Sequence, residues 1–189
     1  MKFGIVIAAA GQGKRFVQAG GAGNKLNAAL GKTTIFEQTL LQALAAELPV
    51  LVVTRPENGL VQQVCTRYQV PYTLLASDGL GESIAAAVNA TPDWEGWLIQ
   101  LADMPYVPPA VFQAVAKELR NHAIVQPRFE QLPGHPVGFN ATLRKALCAL
   151  KGDEGARSLL RHSPVFTLSL SSSAILQDID LPSQLPSEE

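Results

Sequence analysis

The first stretch of the chain, from Phe3 to Lys25, places the strongest constraint on the fold. Its opening segment, Phe3–Ala8, is apolar without polar alternation, as expected for a β-strand covered on both faces of a sheet. A long glycine-rich segment with one arginine and two lysines follows. Backbone amides and cations at the carboxyl end of a strand suit the phosphates of a nucleotide. The stretch therefore predicts an α/β fold with an anion-binding loop after the first strand.

Strand-like apolar runs alternate with helical patterns through most of the 189 residues. This alternation predicts a three-layer α/β sandwich, with a mostly parallel, Rossmann-like sheet and helices on both faces. The predicted strands are Phe3–Ala8, Pro49–Thr54, Tyr72–Leu75, Trp97–Leu101, Ala123–Gln126, Val165–Leu170 and Ala174–Leu176. The predicted helices are Thr34–Glu47, Glu57–Tyr68, Ser83–Ala90, Pro109–Arg120, Ala141–Leu150 and Ala156–His162. Ala9–Gly31 and Arg128–Asn140 are predicted to be irregular. We expect a single domain over residues 1–182 and a flexible tail over 183–189.

Composition narrows the classes of partner. The net charge is −1 and no basic stripe is visible, so we expect no nucleic-acid partner. No apolar run approaches the ~20 residues that span a bilayer, so we expect no membrane partner. The N-terminal apolar run is better explained by a first strand than by a signal peptide. Cys65 and Cys148 are interpreted as reduced thiols, and the protein as cytoplasmic.

The glycine-rich segment matches neither common nucleotide-binding signature. A dinucleotide fingerprint, G-x-G-x-x-G, fits Gly11 and Gly13 but has Phe16 in place of its third glycine. A P-loop, G-x-x-x-x-G-K-[ST], fits the run that begins at Gly31 but has Leu26 in place of its first glycine. Neither dinucleotide binding nor P-loop chemistry is therefore predicted.

A second stretch, Leu101–Pro105, combines an apolar strand end with Asp103. A buried carboxylate must be paired or bind a metal, and Mg²⁺ prefers one or two carboxylates together with phosphate oxygens. Ligands of parallel sheets lie beyond the carboxyl ends of the strands. Asp103 and the glycine-rich segment are therefore expected to face one crevice. The alternative is that Asp103 only caps the turn before Pro105.

These two stretches resemble motifs of the MobA-like NTP transferases, in their molybdenum cofactor cytidylyltransferase (MocA-like) branch. The first resembles [LI]-A-x-G-x-G-x-R-[FM] followed by a lysine: Ala9–Phe16 fit, Ala8 stands in place of the Leu or Ile, and Lys25 follows. The second fits L-[AG]-D-x-P. Four further matches follow the family's order: Ser77–Ile84, Pro133–Phe139, Gly152–Arg157 and Asp178–Pro182. Together the six matches run from Ile7 to Pro182. The resemblance implies a nucleotide-diphospho-sugar transferase-like fold.

The resemblance also implies roles for individual residues. Arg15, Lys25 and Asp103 are expected to be catalytic. The residues expected to bind the nucleotide are Ala8, Ala9, Ala10, Gly11, Gly13, Arg15, Lys25, Gly81, Ser83 and Asp103. Mg²⁺ is expected on Asp103 and Asp180, with Asp178 as the alternative second ligand. The residues expected to contact the second substrate are His135, Pro136, Gly138, Asp153 and Arg157.

Two of these roles have simpler alternatives. His135 could be a hydrogen-bonded loop histidine, and Arg157 could pair with Asp153 across one helical turn.

The implied reaction transfers a nucleoside monophosphate to the phosphate of molybdenum cofactor and releases pyrophosphate. CTP is the favoured donor and a molybdopterin-type compound the acceptor, with a molybdoenzyme or its chaperone as a candidate partner. A GTP-dependent guanylyltransferase and a sugar-phosphate nucleotidyltransferase are the alternatives within the class. A protein that binds and delivers the cofactor without catalysis is the alternative outside it.

Overall fold

The computed structural model describes residues 1–77 and 79–186, with the architecture expected from the alternating pattern. Its strands are β1 Phe3–Ala9, β2 Ala29–Leu30, β3 Thr33–Thr34, β4 Val50–Thr54, β5 Tyr72–Leu74, β6 Gly96–Leu101, β7 Ile124–Phe129, β8 Leu132–Pro133, β9 Val137–Asn140 and β10 Phe166–Ser169. Its helices are α1 Lys14–Gln18, α2 Ile35–Leu44, α3 Gly59–Arg67, α4 Leu80–Ala90, α5 Pro109–Leu119, α6 Arg144–Cys148 and α7 Arg157–His162. Asp78, within the predicted Ser77–Ile84 motif, lies outside the described residues. So does the 187–189 end of the predicted tail.

The central sheet contains eight strands in the order β10-β7-β9-β6-β1-β4-β5, and β8 pairs with β7. Strand β1 pairs in parallel with both β4 and β6, whereas β9 runs antiparallel between β6 and β7. The sheet is therefore mostly parallel, and the predicted fold class is confirmed. The carboxyl ends of β1, β4 and β6 meet at one edge of the sheet, where ligands of such folds bind.

Two hydrophobic cores cover the two faces of this sheet. Ile5 and Ile7 of β1 pack in the core beneath α2, α3 and α5, whereas Val6 packs in the core beneath α4 and α6. Successive side chains of a strand point to opposite faces, so a strand buried on both faces must be apolar at every position. This requirement explains the unbroken apolar run at the start of the chain. The Thr34 hydroxyl accepts a hydrogen bond from the Glu37 amide and caps α2.

The segment Arg128–Asn140 is not irregular, and that prediction was wrong. It contains the end of β7, then β8 and all of β9, which inserts between β6 and β7. The pairing of β9 with Gly96–Ile99 joins residues about 40 positions apart, so it is stabilised by contacts that no local pattern reveals.

Two other predicted segments also differ from the structure. Ser173–Leu176 forms a 3₁₀ helix rather than a strand, because the Ser172 hydroxyl accepts the Ala174 amide at its start. The predicted loop Ala9–Gly31 contains α1, a 3₁₀ turn at Lys25–Asn27 and the short strand β2. Phe16 of α1 is buried, which fixes part of this segment to the domain. The remaining predicted elements occur with their ends shifted by a few residues.

Candidate active site

The glycine-rich segment leaves β1 at Ala9 and turns sharply at Gly13. Gly13 has a φ of 62°, in the left-handed region that favours glycine, and it precedes α1. A Cβ at Gly13 would lie 3.0 Å from Cγ of Lys25. The absence of a side chain at Gly13 thus lets Lys25 fold back across the loop toward the end of β6.

Lys25 joins the first loop to two aspartates from distant parts of the chain. Its Nζ lies 2.7 Å from Oδ2 of Asp103 and 2.9 Å from Oδ1 of Asp180. The Ile179 amide donates to the Asp103 carbonyl oxygen at 2.9 Å, which holds the C-terminal segment against the end of β6. Arg15 lies on the outer side of this network, 3.7 Å from Asp180 and largely exposed. The loop and Asp103 therefore do share one crevice.

Asp103, Asp178 and Asp180 form an acid cluster, in which one carboxylate oxygen from each residue lies within 4.8 Å of the others. Among the described residues, Oδ1 of Asp103 is a buried oxygen without a hydrogen-bond partner. Three neighbouring carboxylates, one of which carries an unsatisfied buried oxygen, fit a hard divalent cation such as Mg²⁺. The cluster includes both residues proposed as the second ligand.

Burial and the neighbouring charges shift the pKa values of the groups in this network. Burial raises the pKa of the Asp103 carboxyl, and the opposing attraction of Lys25 does not cancel that effect. Burial alone would lower the pKa of Lys25, but Asp103 and Asp180 together outweigh it and raise that pKa. Lys25 is therefore held as a cation between carboxylates.

A cavity of about 190 Å³, here called the loop cavity, lies between the first loop, the end of β6 and the start of α4. Most of the predicted nucleotide-binding residues line it: Ala8, Ala10, Gly11, Gly13, Lys25, Ser83 and Asp103. Arg15 lines an adjoining open groove of about 390 Å³, the loop groove, with Gly11–Lys14, Lys25, Asp153 and Asp180. Backbone amides, cations and an acid cluster are thus arranged as a triphosphate and its metal would require.

Two predicted nucleotide-binding residues lie outside both of these spaces. Ala9 pairs with Thr54 of β4 and packs into a core. Gly81 is buried, and its amide donates to the Gly152 carbonyl oxygen at 2.9 Å. A Cβ at Gly81 would lie 2.7 Å from the Lys151 backbone. Gly81 therefore permits close contact between α4 and the loop before α7.

A larger cavity of about 680 Å³, here called the large cavity, lies beside the loop cavity on the α4 face of the sheet. Leu80 and Leu101 line both cavities, which therefore adjoin. Of the predicted second-substrate residues, His135, Asp153 and Arg157 line the large cavity. Within the described part of the chain, no ion pair joins Arg157 to Asp153, which leaves the guanidinium available to a ligand.

The other two predicted second-substrate residues do not line the large cavity. Gly138 belongs to β9, and a Cβ there would lie 3.0 Å from Val115 of α5, on the opposite face of the sheet. Pro136 is buried beside it. Their neighbours Val137 and Phe139 face the cavity instead.

His135 will remain neutral well below pH 6, and its protonation will oppose folding. Burial lowers the pKa of its imidazole to about 4, whereas the unfolded chain titrates near ~6.5. Between these values the unfolded state binds a proton that the folded state does not, so stability falls as the pH falls. From about pH 7 to about pH 5, the wild type should lose up to ~2 kcal/mol more than His135→Gln in chemical denaturation. His162→Gln, at an exposed position, is the matched control. Identical pH dependence in the wild type and His135→Gln would contradict this assignment.

The structure also shows residues at or near the site that the motifs did not indicate. Arg55, directly after β4, is buried and donates to the Ala10 carbonyl oxygen at 3.3 Å, which supports the start of the loop. Its position after a parallel strand was a usable signal. Glu82 accepts the Gly152 amide at 2.8 Å and ties α4 to the loop before α7. Gln126, Arg128 and Arg161 line the large cavity, and no local motif marks them.

The fold and this crevice define a nucleotide-binding α/β protein with a candidate metal site. The family model described as "MobA-like NTP transferase domain" matches residues 5–167. The chain therefore belongs to the MobA-like NTP transferase family, and the predicted family membership is confirmed. It is a nucleotidyltransferase of this type.

Known proteins extend the comparison. The chain is 30% identical over 194 aligned positions to the purine catabolism protein PucB of Bacillus subtilis (strain 168), covering 95% of this chain and 92% of PucB. Three solved structures share its fold. Rv0371c from Mycobacterium tuberculosis H37Rv is 24% identical, with a TM-score of 0.83 over 97% of this chain and 95% of that one. The structure of the Rv0371c complex with manganese is 22% identical in sequence, with a TM-score of 0.78 over 91% of this chain and 90% of that one. A nucleotidyl transferase from Methanothermobacter thermautotroptrophicus (Mth528) is 22% identical, with a TM-score of 0.81 over 97% and 94%.

None of the helices within residues 1–77 and 79–186 combines the length and the apolar character needed to cross a membrane.

Proposed function

We propose that this protein transfers CMP from CTP to the phosphate of a molybdopterin-type molybdenum cofactor and releases pyrophosphate. The observation that carries the proposal is the contact of Lys25 with Asp103 and Asp180, because these residues lie where the loop cavity meets the loop groove. The large cavity adjoins the same point through Leu101. A donor held by the loop and an acceptor in the large cavity would bring their phosphates together there. The resemblance of residues 134–139 to the cytidylyltransferase branch favours CTP and a pterin acceptor.

The first loop would hold the triphosphate. Gly11, Gly13, Arg15 and Lys25 line the loop cavity or the loop groove, and their backbone amides and cationic side chains would be the donors. Such preorganised donors stabilise the negative charge that builds on the α-phosphate oxygens and the leaving group. An oxygen of the acceptor phosphate then forms a bond to the α-phosphorus. The bond from that phosphorus to the bridging oxygen breaks, and pyrophosphate leaves with the electron pair.

This reaction needs no general base. A phosphate monoester is already largely deprotonated at neutral pH, so its oxygen can attack without losing a proton to the protein. Correct placement of the two phosphates is then the main requirement. His135, whose pKa is lowered by burial, would contribute a neutral imidazole to the acceptor side of the site.

The acid cluster of Asp103, Asp178 and Asp180 would hold Mg²⁺. A bound divalent ion supplies positive charge to the phosphate oxygens and to the leaving pyrophosphate. The manganese complex of Rv0371c supports a divalent ion in this fold. Asp103 contributes most directly, because its unpartnered Oδ1 lies beside the loop cavity.

The biological setting is part of the proposal. PucB carries the description of a purine catabolism protein, which names neither donor nor acceptor. We place the reaction in the cytoplasm, and Cys65 and Cys148, both free thiols, accord with a reducing compartment. A molybdoenzyme or its chaperone would receive the product. Residues 1–182 would act as one catalytic domain, with 183–189 as a flexible tail.

Pyrophosphate release with each of the four ribonucleoside triphosphates tests the proposal. The assay contains Mg²⁺ and molybdopterin-type cofactor, and release without acceptor is the blank. We expect turnover with CTP well above turnover with the other three. A preference for GTP would identify a guanylyltransferase, and turnover only with sugar phosphates would identify a sugar-nucleotide enzyme. Cofactor binding with no turnover on any triphosphate would overturn the enzymatic assignment and leave a delivery protein.

A further inference from the structure

The large cavity has a polar end that the transfer reaction does not use. Gln126 and Arg128 lie two residues apart on β7 and therefore share a face of the sheet. Arg161, near the end of α7, lines the same cavity from the helix side. The side of the cavity near β6 is instead lined by the apolar residues Ile99 and Leu101.

The pairing register places this polar end relative to the reacting groups. Gly138 of β9 pairs with both Leu98 of β6 and Val125 of β7. Leu101 and Arg128, each three residues further along their strands, therefore lie at the same level. Two interstrand spacings separate β6 from β7, which is about 10 Å. Arg128 is thus about 10 Å across the sheet from the strand end that carries Asp103.

Arg128 presents a hydrogen-bond donor that the protein leaves unsatisfied. Its Nη1 donates to the Gln131 carbonyl oxygen at 2.9 Å, but within the described chain its buried Nε has no partner. A guanidinium keeps its charge at all relevant pH values, so this donor cannot be removed by deprotonation. Buried donors are nearly always paired, so the unpaired Nε of Arg128 shows that the protein does not fill the hydrogen-bonding capacity of this guanidinium.

The charges around Arg128 favour an anionic ligand. Among residues 1–77 and 79–186, no ion pair neutralises Arg128, Arg157 or Arg161, although all three line the large cavity. The two acidic residues of the lining, Asp153 and Glu154, precede α7, and Asp153 faces the loop groove as well. Asp153 therefore lies toward the nucleotide side, whereas the β7 residues that line the cavity, Gln126 and Arg128, are polar and cationic.

We propose that Gln126, Arg128 and Arg161 form a subsite for a second anionic group of the acceptor, on the strand that lies about 10 Å across the sheet from the end of β6. This inference rests on the proposed function in taking the large cavity as the acceptor site. It adds that the acceptor is a substrate with two anionic groups, one at each end. Bidentate contact of a guanidinium with the distal group would orient the acceptor before transfer.

Two simple probes test the subsite by calorimetry, in the absence of nucleotide: hexyl phosphate and hexanediol bisphosphate. The bisphosphate should bind the wild type about 10-fold more tightly than the monophosphate, because charge-assisted contacts to arginine add to its affinity. Arg128→Gln should abolish this preference, Arg161→Gln should reduce it, and Arg128→Lys should retain part of it. Arg120→Gln, which alters an arginine outside the large cavity, is the matched control and should leave the preference unchanged.

These binding measurements test the subsite independently of whether the protein is a transferase. Equal affinity of the two probes for the wild type would overturn the proposal. So would a full preference retained in both Arg128→Gln and Arg161→Gln, since the second phosphate would then bind elsewhere. Should Arg128→Gln fail to fold, Arg161→Gln at its exposed position still supplies the test. Failure of every triphosphate to turn over would overturn the proposed function but would not alter these binding ratios.

Discussion

Asp103→Asn should lower metal-dependent pyrophosphate release by at least about 10³-fold while the protein folds normally. Asparagine has nearly the same shape as aspartate but lacks the negative charge that holds a divalent ion. The acid cluster would lose its most buried carboxylate, and Lys25 would keep only its contact with Asp180. Folding should be affected less than by the loss of Lys25, because Lys25 keeps its contact with Asp180 and burial already disfavours the charged form of Asp103 and raises its pKa.

The control for this substitution is Asp93→Asn. Asp93 is exposed and pairs only with Lys2 among its described contacts, at the opposite end of β6 from the acid cluster. Its variant should retain wild-type activity. Calorimetric titration with Mg²⁺ and with Mn²⁺ should show weaker binding to Asp103→Asn than to Asp93→Asn. Wild-type turnover in a folded Asp103→Asn variant would remove Asp103 from the catalytic site.

The two candidates for the second metal ligand, Asp178 and Asp180, differ in their contacts. Asp180 contacts both Lys25 and Arg15, whereas Asp178 lies further from these cations in the described structure. Both carboxylates belong to one cluster, and burial raises the pKa of Asp178 whereas Lys25 contributes to lowering that of Asp180. Both residues remain candidates for the second ligand, and Asp180 differs from Asp178 by its direct contact with Lys25.

Sequence reasoning succeeded where a local pattern and a general rule of the fold acted together. The strand Phe3–Ala8 was recognisable because burial on both faces requires an unbroken apolar run, and β1 covers the same residues with one more. The shared crevice of the glycine-rich segment and Asp103 followed from a rule about parallel sheets, since both come after strand ends. The direct contact between Lys25 and Asp103 was not predicted.

The rest of the site depends on contacts between distant segments. Strand β9 is short and follows two prolines, and its place in the sheet is set by pairing with β6 rather than by its own sequence. Because β9 separates β6 from β7, it also sets the distance from Asp103 to Arg128. No one-dimensional pattern contains that distance. The path of Lys25 likewise depends on the left-handed turn at Gly13.

Lys25→Met should lower turnover by about 10²–10³-fold and should at the same time strengthen metal binding in the absence of nucleotide. Lys25 lies 2.7 and 2.9 Å from two carboxylate oxygens of the residues that would hold the metal. Its ammonium group therefore competes with a divalent ion for the same negative charge. During transfer, however, the same cation is needed by the phosphates, so its loss slows the reaction.

Stability gives a second readout of the same competition. Lys25 is largely buried, and its removal leaves Asp103 without its cationic partner, which should cost about 3 kcal/mol in unfolding free energy. Mg²⁺ or Mn²⁺ should restore part of this loss, so the metal should raise the melting temperature of Lys25→Met more than that of the wild type. Lys117→Met, which alters an exposed lysine outside the site, should match the wild type in turnover and in its response to metal. If metal stabilises Lys25→Met no more than the wild type, Lys25 and the divalent ion do not share these carboxylates.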